Sequence, residues 1–171
     1  MEISEQLVLI TGASRGLGEA LSRSFIRQGA QVIINYYQSE SKATALASEL
    51  GENALAFQGD VRKAADMKTI VEKAEAHFNR KVSTLVNNAL IDYKFDPVKN
   101  KSYESIQWQD FLTQLEGSVQ GALNSLQAVV PGMKELGFGR IINIGTNLFH
   151  NPVVPYHDYT TAKSALLGFT R

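Results

Sequence analysis

Residues 7–18, Leu-Val-Leu-Ile-Thr-Gly-Ala-Ser-Arg-Gly-Leu-Gly, constrain the fold more than any other stretch of the chain. Four apolar residues in succession, Leu7 to Ile10, read as a strand buried on both faces, the kind found in parallel sheets. Gly12, Gly16 and Gly18 then allow a tight turn and close approach of a ligand to the backbone, and the apolar period Leu17, Leu21, Phe25 starts a helix. Strand, glycine turn and helix N-terminus in that order aim unpaired N–H groups and the helix dipole at an anion, most naturally a dinucleotide pyrophosphate. Gly12-x-x-x-Gly16-x-Gly18 differs from the common Gly-x-Gly-x-x-Gly fingerprint and lacks the Lys-Ser/Thr of a nucleoside triphosphate loop. Gly12-Ala13-Ser14-Arg15-Gly16 also matches the nucleophile elbow Gly-x-Ser-x-Gly, which would make Ser14 a hydrolase nucleophile. That alternative is the lesser one: an elbow on the first strand has no upstream strand–helix loop to complete an oxyanion hole, and no His or Asp stands out as its partner.

The same alternation of strand and helix continues. Gln31 to Tyr36, with Val32, Ile33 and Ile34, is a second strand. Ser39 is placed to cap a helix bearing Ala43, Leu46, Ala47 and Leu50. Ala54 to Phe57 is a third strand, running into Gly59-Asp60-Val61, and residues 64–78 form a helix with Met67, Ile70, Val71, Ala74 and Phe78 inward. Thr84-Leu85-Val86 leads a fourth strand into Asn87-Asn88-Ala89. Residues 90–102 have no period and read as an exposed loop, in which Lys94, Lys99 and Lys101 interleave with Asp92 and Asp96 as a solvated stretch rather than a basic dock. One long amphipathic helix or two span about Ser105 to Leu136. Gly139 to Thr146 is a fifth strand, and Asp158 caps a last helix from Tyr159. The order β-α-β-α-β-α-β-α-β-α predicts a doubly wound, parallel, Rossmann-like α/β sheet of order 3-2-1-4-5 in a single domain, 1–171.

Composition narrows the partners. Seventeen Lys and Arg balance seventeen Asp and Glu in 171 residues, so no overall field draws the chain to nucleic acid or an anionic membrane. With no cysteine and three scattered histidines there is neither a thiolate nor a metal-ligand spacing. The acidic N-terminus and the lack of a long apolar run lead to the expectation of a soluble cytoplasmic protein.

Tyr159 and Lys163 stand four apart on the last helix, so both side chains emerge on one face. A fixed ammonium beside a phenol favours its ionised form, which makes Tyr159 a candidate proton donor. Thr146, at the end of the fifth strand, lies at the C-terminal edge of the sheet, where open α/β sheets bind ligands, and can hydrogen-bond a carbonyl oxygen.

Taken together, Thr11 to Gly18, Asp60-Val61, Asn87-Asn88-Ala89, Thr146, Tyr159 and Lys163 resemble the classical short-chain dehydrogenases/reductases through the whole chain, and within them the 3-oxoacyl-[acyl-carrier-protein] reductase group. The resemblance implies hydride transfer from a nicotinamide cofactor to a carbonyl, with a 3-oxoacyl thioester as substrate class. Tyr159 would protonate the carbonyl oxygen, Lys163 would hold the nicotinamide ribose and assist Tyr159, and Thr146 would orient the carbonyl. Gly12, Ser14, Arg15, Gly16, Leu17 and Gly18 would form the cofactor turn, Asp60 and Val61 would flank the adenine, and Asn87 and Ala89 would line the middle of the dinucleotide. Asn88 reads instead as a polar strand end satisfying its own turn. At the end of the second strand, where NAD enzymes place an acid, Asn35 stands; with Gln38, Ser39 and Arg15 it would accept the extra phosphate of NADP(H). Homo-oligomerisation through the long helix and the last helix, as dimer or tetramer, is implied for a full-length member.

Four departures from the family pattern are visible. Thr146 replaces the usual Ser. Ser118, in Ser118-Val119-Gln120-Gly121, takes the place of the Asn that holds a water in the proton relay. Leu90 replaces the glycine after Asn-Asn-Ala, where its side chain would narrow the nicotinamide pocket the resemblance implies. The chain also stops at Arg171, short of two further strands and a substrate-covering helix, so the expectation is a C-terminally shortened member: either an enzyme or a nucleotide-binding module without turnover.

Overall fold

In the computed structural model, which describes residues 1–91, 93, 95, 96 and 101–171, five parallel strands form one sheet in the order β3-β2-β1-β4-β5. The strands are β1 (Leu7–Ile10), β2 (Gln31–Tyr36), β3 (Ala54–Gln58), β4 (Val82–Asn87) and β5 (Arg140–Asn143). The helices are α1 (Gly16–Arg27), α2 (Glu40–Leu50), α3 (Ala64–Phe78), α4 (Trp108–Leu115), α5 (Gly121–Leu136) and α6 (His157–Thr170). The sheet order is the expected one.

The continuous apolar run of β1 is explained by its place at the centre of the sheet. Leu7 and Leu9 face a layer made with α3 and α5, including Met67, Ile70, Val129 and Met133. Val8 and Ile10 face the opposite layer, with Val32, Ile34, Ala43 and Leu46. Side chains alternate across a strand, so a strand covered on both sides needs apolar residues at every position. All four are fully buried. β1 pairs with β2 from Leu7↔Gln31 to Ile10↔Ile34 and with β4 from Val8↔Thr84 to Ile10↔Val86. Chain order reverses between these neighbours, which opens a crevice beyond the C-terminal ends of β1 and β4.

Several boundaries differ from the sequence reading. Residues 105–136 form neither one regular helix nor two separate ones: α4 passes through a π-helical turn, Glu116–Gln120, directly into α5. β5 is only four residues long. It is an edge strand bonded to β4 alone, with Ile141 exposed. α6 begins at His157, and Asp158 lies inside its first turn, its Oδ1 accepting the Tyr159 N–H at 2.8 Å. Ser39 precedes α2 without a side-chain cap bond. Lys101 is paired with Asp110 at 2.8 Å, while Asp92, Lys94 and Lys99 lie outside the described residues.

Candidate active site

The turn after β1 is shaped by backbone that only glycine supplies without strain. Gly12 and Gly16 have φ of +62° and +58°. A Cβ on Gly12 would lie 2.8 Å from the Cα of Ala89, and one on Gly18 would lie 2.7 Å from the Gly12 carbonyl oxygen. Around Gly16 a Cβ would meet nothing within 4 Å, so this corner of the turn is open. α1 starts there with Arg15 at the N-cap and no side chain capping its first N–H groups. A turn with open space, left-handed backbone and an uncapped twelve-residue helix N-terminus fits a pyrophosphate.

The turn is locked to the end of β4. The Thr11 hydroxyl donates to the Val86 carbonyl at 3.4 Å and accepts the N–H groups of Asn88 and Ala89 at 3.0 and 3.1 Å. Asn88 Nδ2 donates to the carbonyls of Thr11 and Gly12 at 3.0 and 3.1 Å. Asn88 therefore satisfies the glycine turn of β1 rather than a turn of its own.

Asn35 departs from its expected role. It is 1% exposed; its Oδ1 accepts the Gly12 N–H at 3.4 Å and its Nδ2 donates to the Gly59 carbonyl at 3.0 Å. Both ends of the amide are spent bracing the turn against β3, which takes Asn35 away from the surface where an extra phosphate would lie. Arg15, by contrast, is exposed. Ser14 is buried in the turn, and among the described residues no hydrogen bond joins it to a histidine.

Asp60 and Val61 follow β3 as expected, but both are engaged. Arg62, which the sequence reading passed over, grips the Asp60 carboxylate with Nε and Nη2 at 2.9 and 2.8 Å and stacks over the Tyr37 ring at 5.6 Å. The guanidinium holds the Asp60 carboxyl below its ordinary range. Val61 is buried: a Cβ on Gly121 would lie 2.8 Å from its Cγ2, and its carbonyl accepts Nδ2 of Asn124 at 2.9 Å. Val61 therefore packs in the core and also lines the small cavity shared with Thr11 and Ser118.

On α6, Tyr159 and Lys163 are 6% and 2% exposed. The Lys163 ammonium donates to the Ile144 carbonyl at 2.7 Å, just beyond the end of β5. Burial lowers its pKa to about 8. Thr146 caps the short turn Asn147–Phe149, its Oγ1 accepting the Leu148 N–H at 3.3 Å. Accepting that bond leaves the hydroxyl proton able to donate to another acceptor.

One small cavity gathers the separate motifs, lined among others by Thr11, Asn87, Ala89, Ser118 and Lys163. Ser118 lies in the π-helical turn. Asn87 Nδ2 donates to Asn143 Oδ1 at 2.8 Å, while its own buried Oδ1 has no hydrogen-bond partner among the described residues. A cavity of this size, lined by Thr11, Asn87, Ser118 and Lys163 as well as by apolar residues, suits a single water.

Beyond β4, Leu90 is exposed. The Ile91 carbonyl accepts Nε2 of buried Gln114 at 3.1 Å. Two residues on, the Tyr93 ring stacks on that of Tyr159 with centroids 4.8 Å apart, and Phe95 meets Tyr159 edge-on at 5.0 Å. The sequence reading missed Gln114, Arg62, Asn124 and this aromatic group. Gln114 was open to detection, since it stands four residues before Ser118 on the same helical face; nothing local marks Tyr93 or Phe95.

This fold is that of the short-chain dehydrogenases. The family model described as short chain dehydrogenase matches residues 6–171, and the chain belongs to that family. It is similar to the NADP-dependent 3-hydroxy acid dehydrogenase of Salmonella typhi, 34% identical over 164 residues. That match covers 96% of this chain and 63% of the relative, so the chain spans just under two thirds of that protein's length. It is 32% identical over 171 residues to the 3-oxoacyl-[acyl-carrier-protein] reductase of Escherichia coli, covering 100% of this chain and 67% of the relative. Among solved structures, the 3-ketoacyl-(acyl-carrier-protein) reductase of Brucella melitensis complexed with NADH superposes with a TM-score of 0.88 at 30% identity, over 98% of this chain and 68% of that one.

Proposed function

We propose that the chain is an NADP(H)-dependent carbonyl reductase, with 3-oxoacyl thioesters as a substrate class. The observation that carries this reading is the shared cavity, where the glycine turn (Thr11), the end of β4 (Asn87, Ala89), the π-helical turn (Ser118) and α6 (Lys163) meet. Bound NADPH would supply a hydride to the carbonyl carbon. Ser14, Gly16, Leu17 and Gly18 would cradle its pyrophosphate with backbone N–H groups, Gly12 would give the turn its left-handed backbone, and Asp60 with the Val61 backbone would bound the adenine. Arg15, exposed beside the turn and with no acid at the end of β2, would attract the extra phosphate of NADPH. Thr146 would donate to the carbonyl oxygen and Tyr159 would deliver the proton. Lys163, fixed on the Ile144 carbonyl, would hold the nicotinamide ribose and keep its charge near the phenol. Ser118 would hold a water in the cavity, from which the proton is replenished.

The test is NADPH oxidation by the purified chain offered acetoacetyl thioester, with Tyr159→Phe as control. Turnover that the control loses by about a hundredfold or more supports the assignment, the scale expected for a positioned proton donor. Tight NADPH binding without turnover would make the chain a nucleotide-binding module instead.

A further inference from the structure

Two residues with complementary needs line the same small cavity. Lys163 is buried, and its ammonium has three N–H groups. One donates to the Ile144 carbonyl at 2.7 Å, and among the described residues no carboxylate pairs with it. The other residue is Asn87, whose buried Oδ1 has no hydrogen-bond partner among the described residues. A buried ammonium calls for further acceptors and a buried amide oxygen calls for a donor. The remaining lining residues, among them Thr11, Val61, Ser118 and Leu166, carry no charge.

The direction of the Asn87 amide is decided outside the cavity, at the far end of a chain of hydrogen bonds. The Thr170 hydroxyl has one hydrogen, which it donates to the Leu166 carbonyl at 2.7 Å, so towards Asn143 it can only accept. Asn143 therefore turns Nδ2 to Thr170, at 2.9 Å, and Oδ1 to Asn87. Asn87 answers with its own Nδ2 at 2.8 Å, which leaves Oδ1 as the unspent end of its amide. Reversing either amide alone would set two donors or two acceptors against each other. The run from α6 through β5 to β4 thus delivers a carbonyl-type oxygen, with its polarity fixed, to the wall of the cavity.

We propose that Asn87 is a positioning residue for Lys163: its Oδ1, oriented by Asn143 and Thr170, takes a hydrogen from a single cavity water that in turn accepts an N–H of the Lys163 ammonium. This rests on the carbonyl reductase reading above and deepens it. The water accepts from Lys163, donates one hydrogen to Asn87 and has its second hydrogen left for the Ser118 hydroxyl, which gives it the partners a buried water requires. A hydroxyl turns freely about its bond, whereas the Asn87 amide is held by Asn143, so Asn87 sets the place of the water and, through it, that of the ammonium. An acceptor for the ammonium favours its charged form and opposes the effect of burial, which brings the pKa of Lys163 to about 8.

The experiment titrates Lys163 itself, by NMR of the chain isotopically labelled at lysine Cε, its signal assigned by its loss in Lys163→Met. This readout needs neither cofactor nor turnover. In Asn87→Ala the pKa of Lys163 is expected to fall by about one pH unit, the scale of one hydrogen bond to a charged group. Thr170 is exposed, so Thr170→Val leaves the core intact while freeing Asn143 to turn; there the pKa is expected to fall by about half a unit, and Thr170→Ser, which keeps the hydroxyl, to stay within about 0.2 of the unaltered chain. A pKa in Asn87→Ala within about 0.2 of the unaltered value, or Thr170→Val and Thr170→Ser that titrate alike, overturns the proposal. Where Asn87→Ala does not fold, the Thr170 pair decides. At pH 8 a fall of one unit from about 8 takes the charged fraction of Lys163 from about one half to about one tenth, and acetoacetyl thioester turnover at that pH is expected to drop about fivefold with it. Turnover that holds steady while the pKa falls overturns the role given to Lys163 in the carbonyl reductase reading, and leaves the place of Asn87 supported.

Discussion

Lys163 carries its charge where charge is costly. At 2% exposure, with a pKa brought from 10.5 down to about 8 by burial, it weakens the folded state by about 3 kcal/mol wherever it is protonated in both states. The unfolded chain keeps that proton to about pH 10.4, so unfolding takes up a proton between pH 8 and that value. Folded stability therefore carries the full cost below about pH 8 and recovers as pH rises through the window. Lys163→Met, which also loses the bond to Ile144, is expected to unfold about 1–2 kcal/mol less readily at pH 7. The advantage should vanish by pH 10.5, as read by urea denaturation at the two pH values. A stability gain of this kind at a residue assigned to the chemistry is what a strained site produces. Residue identities at this site were legible where a spacing names its own chemistry, as in Tyr159 and Lys163 or the three glycines. They were not legible where a polar group's partner is remote in sequence. Asn35 reads as a surface receptor until Gly12 and Gly59 are seen to consume its amide, and Asp60 reads only as an adenine-flanking residue until Arg62 is seen to close on its carboxylate.

At the level of elements, the π-helical turn does the most to build the site. One extra residue in the helical circuit re-aims the side chains that follow it, and here it places Ser118 in the cavity with Asn87 and Lys163. Gly117 within it receives Ile91. Gly117→Ala is expected to cost about 1–3 kcal/mol by overpacking, and Ile91→Ala in the same chain should recover part of it. A double-mutant cycle with a coupling of about 0.5 kcal/mol or more would register the contact. Hydrophobic period revealed the helix of residues 108–136, three residues shorter at its start than expected, but a π turn hardly disturbs that period, so the passage from α4 to α5 stayed hidden. β5 was overextended for a related reason: Ile141, Ile142 and Ile144 look alike in sequence, and only the ladder with β4 stops at Asn143. The strands β1 to β4 were placed well because burial on two faces or one leaves a direct imprint on residue type.

Over the whole molecule, the order β3-β2-β1-β4-β5 puts the glycine turn, the end of β4 and the start of α6 around one crevice, although Thr11 and Lys163 lie far apart along the chain. A ligand seated there touches elements from both ends of the sequence, so its binding should stabilise the fold globally. NADPH at about a hundred times its dissociation constant is expected to add about 2.7 kcal/mol and raise the midpoint of thermal unfolding. Scanning calorimetry with NADPH and NADH at equal concentration should show the larger shift for NADPH; an equal or larger shift for NADH would overturn the cofactor preference. The bracing of the glycine turn by Thr11 and Asn88 bears on how this family can be re-engineered. Turn and strand end share a single set of bonds, so neither is a portable part. A cofactor loop transplanted from a relative would bring its own demands on residues some seventy-seven positions away, and a chimera that joins the two from different parents should fail at that seam before it fails anywhere in the chemistry.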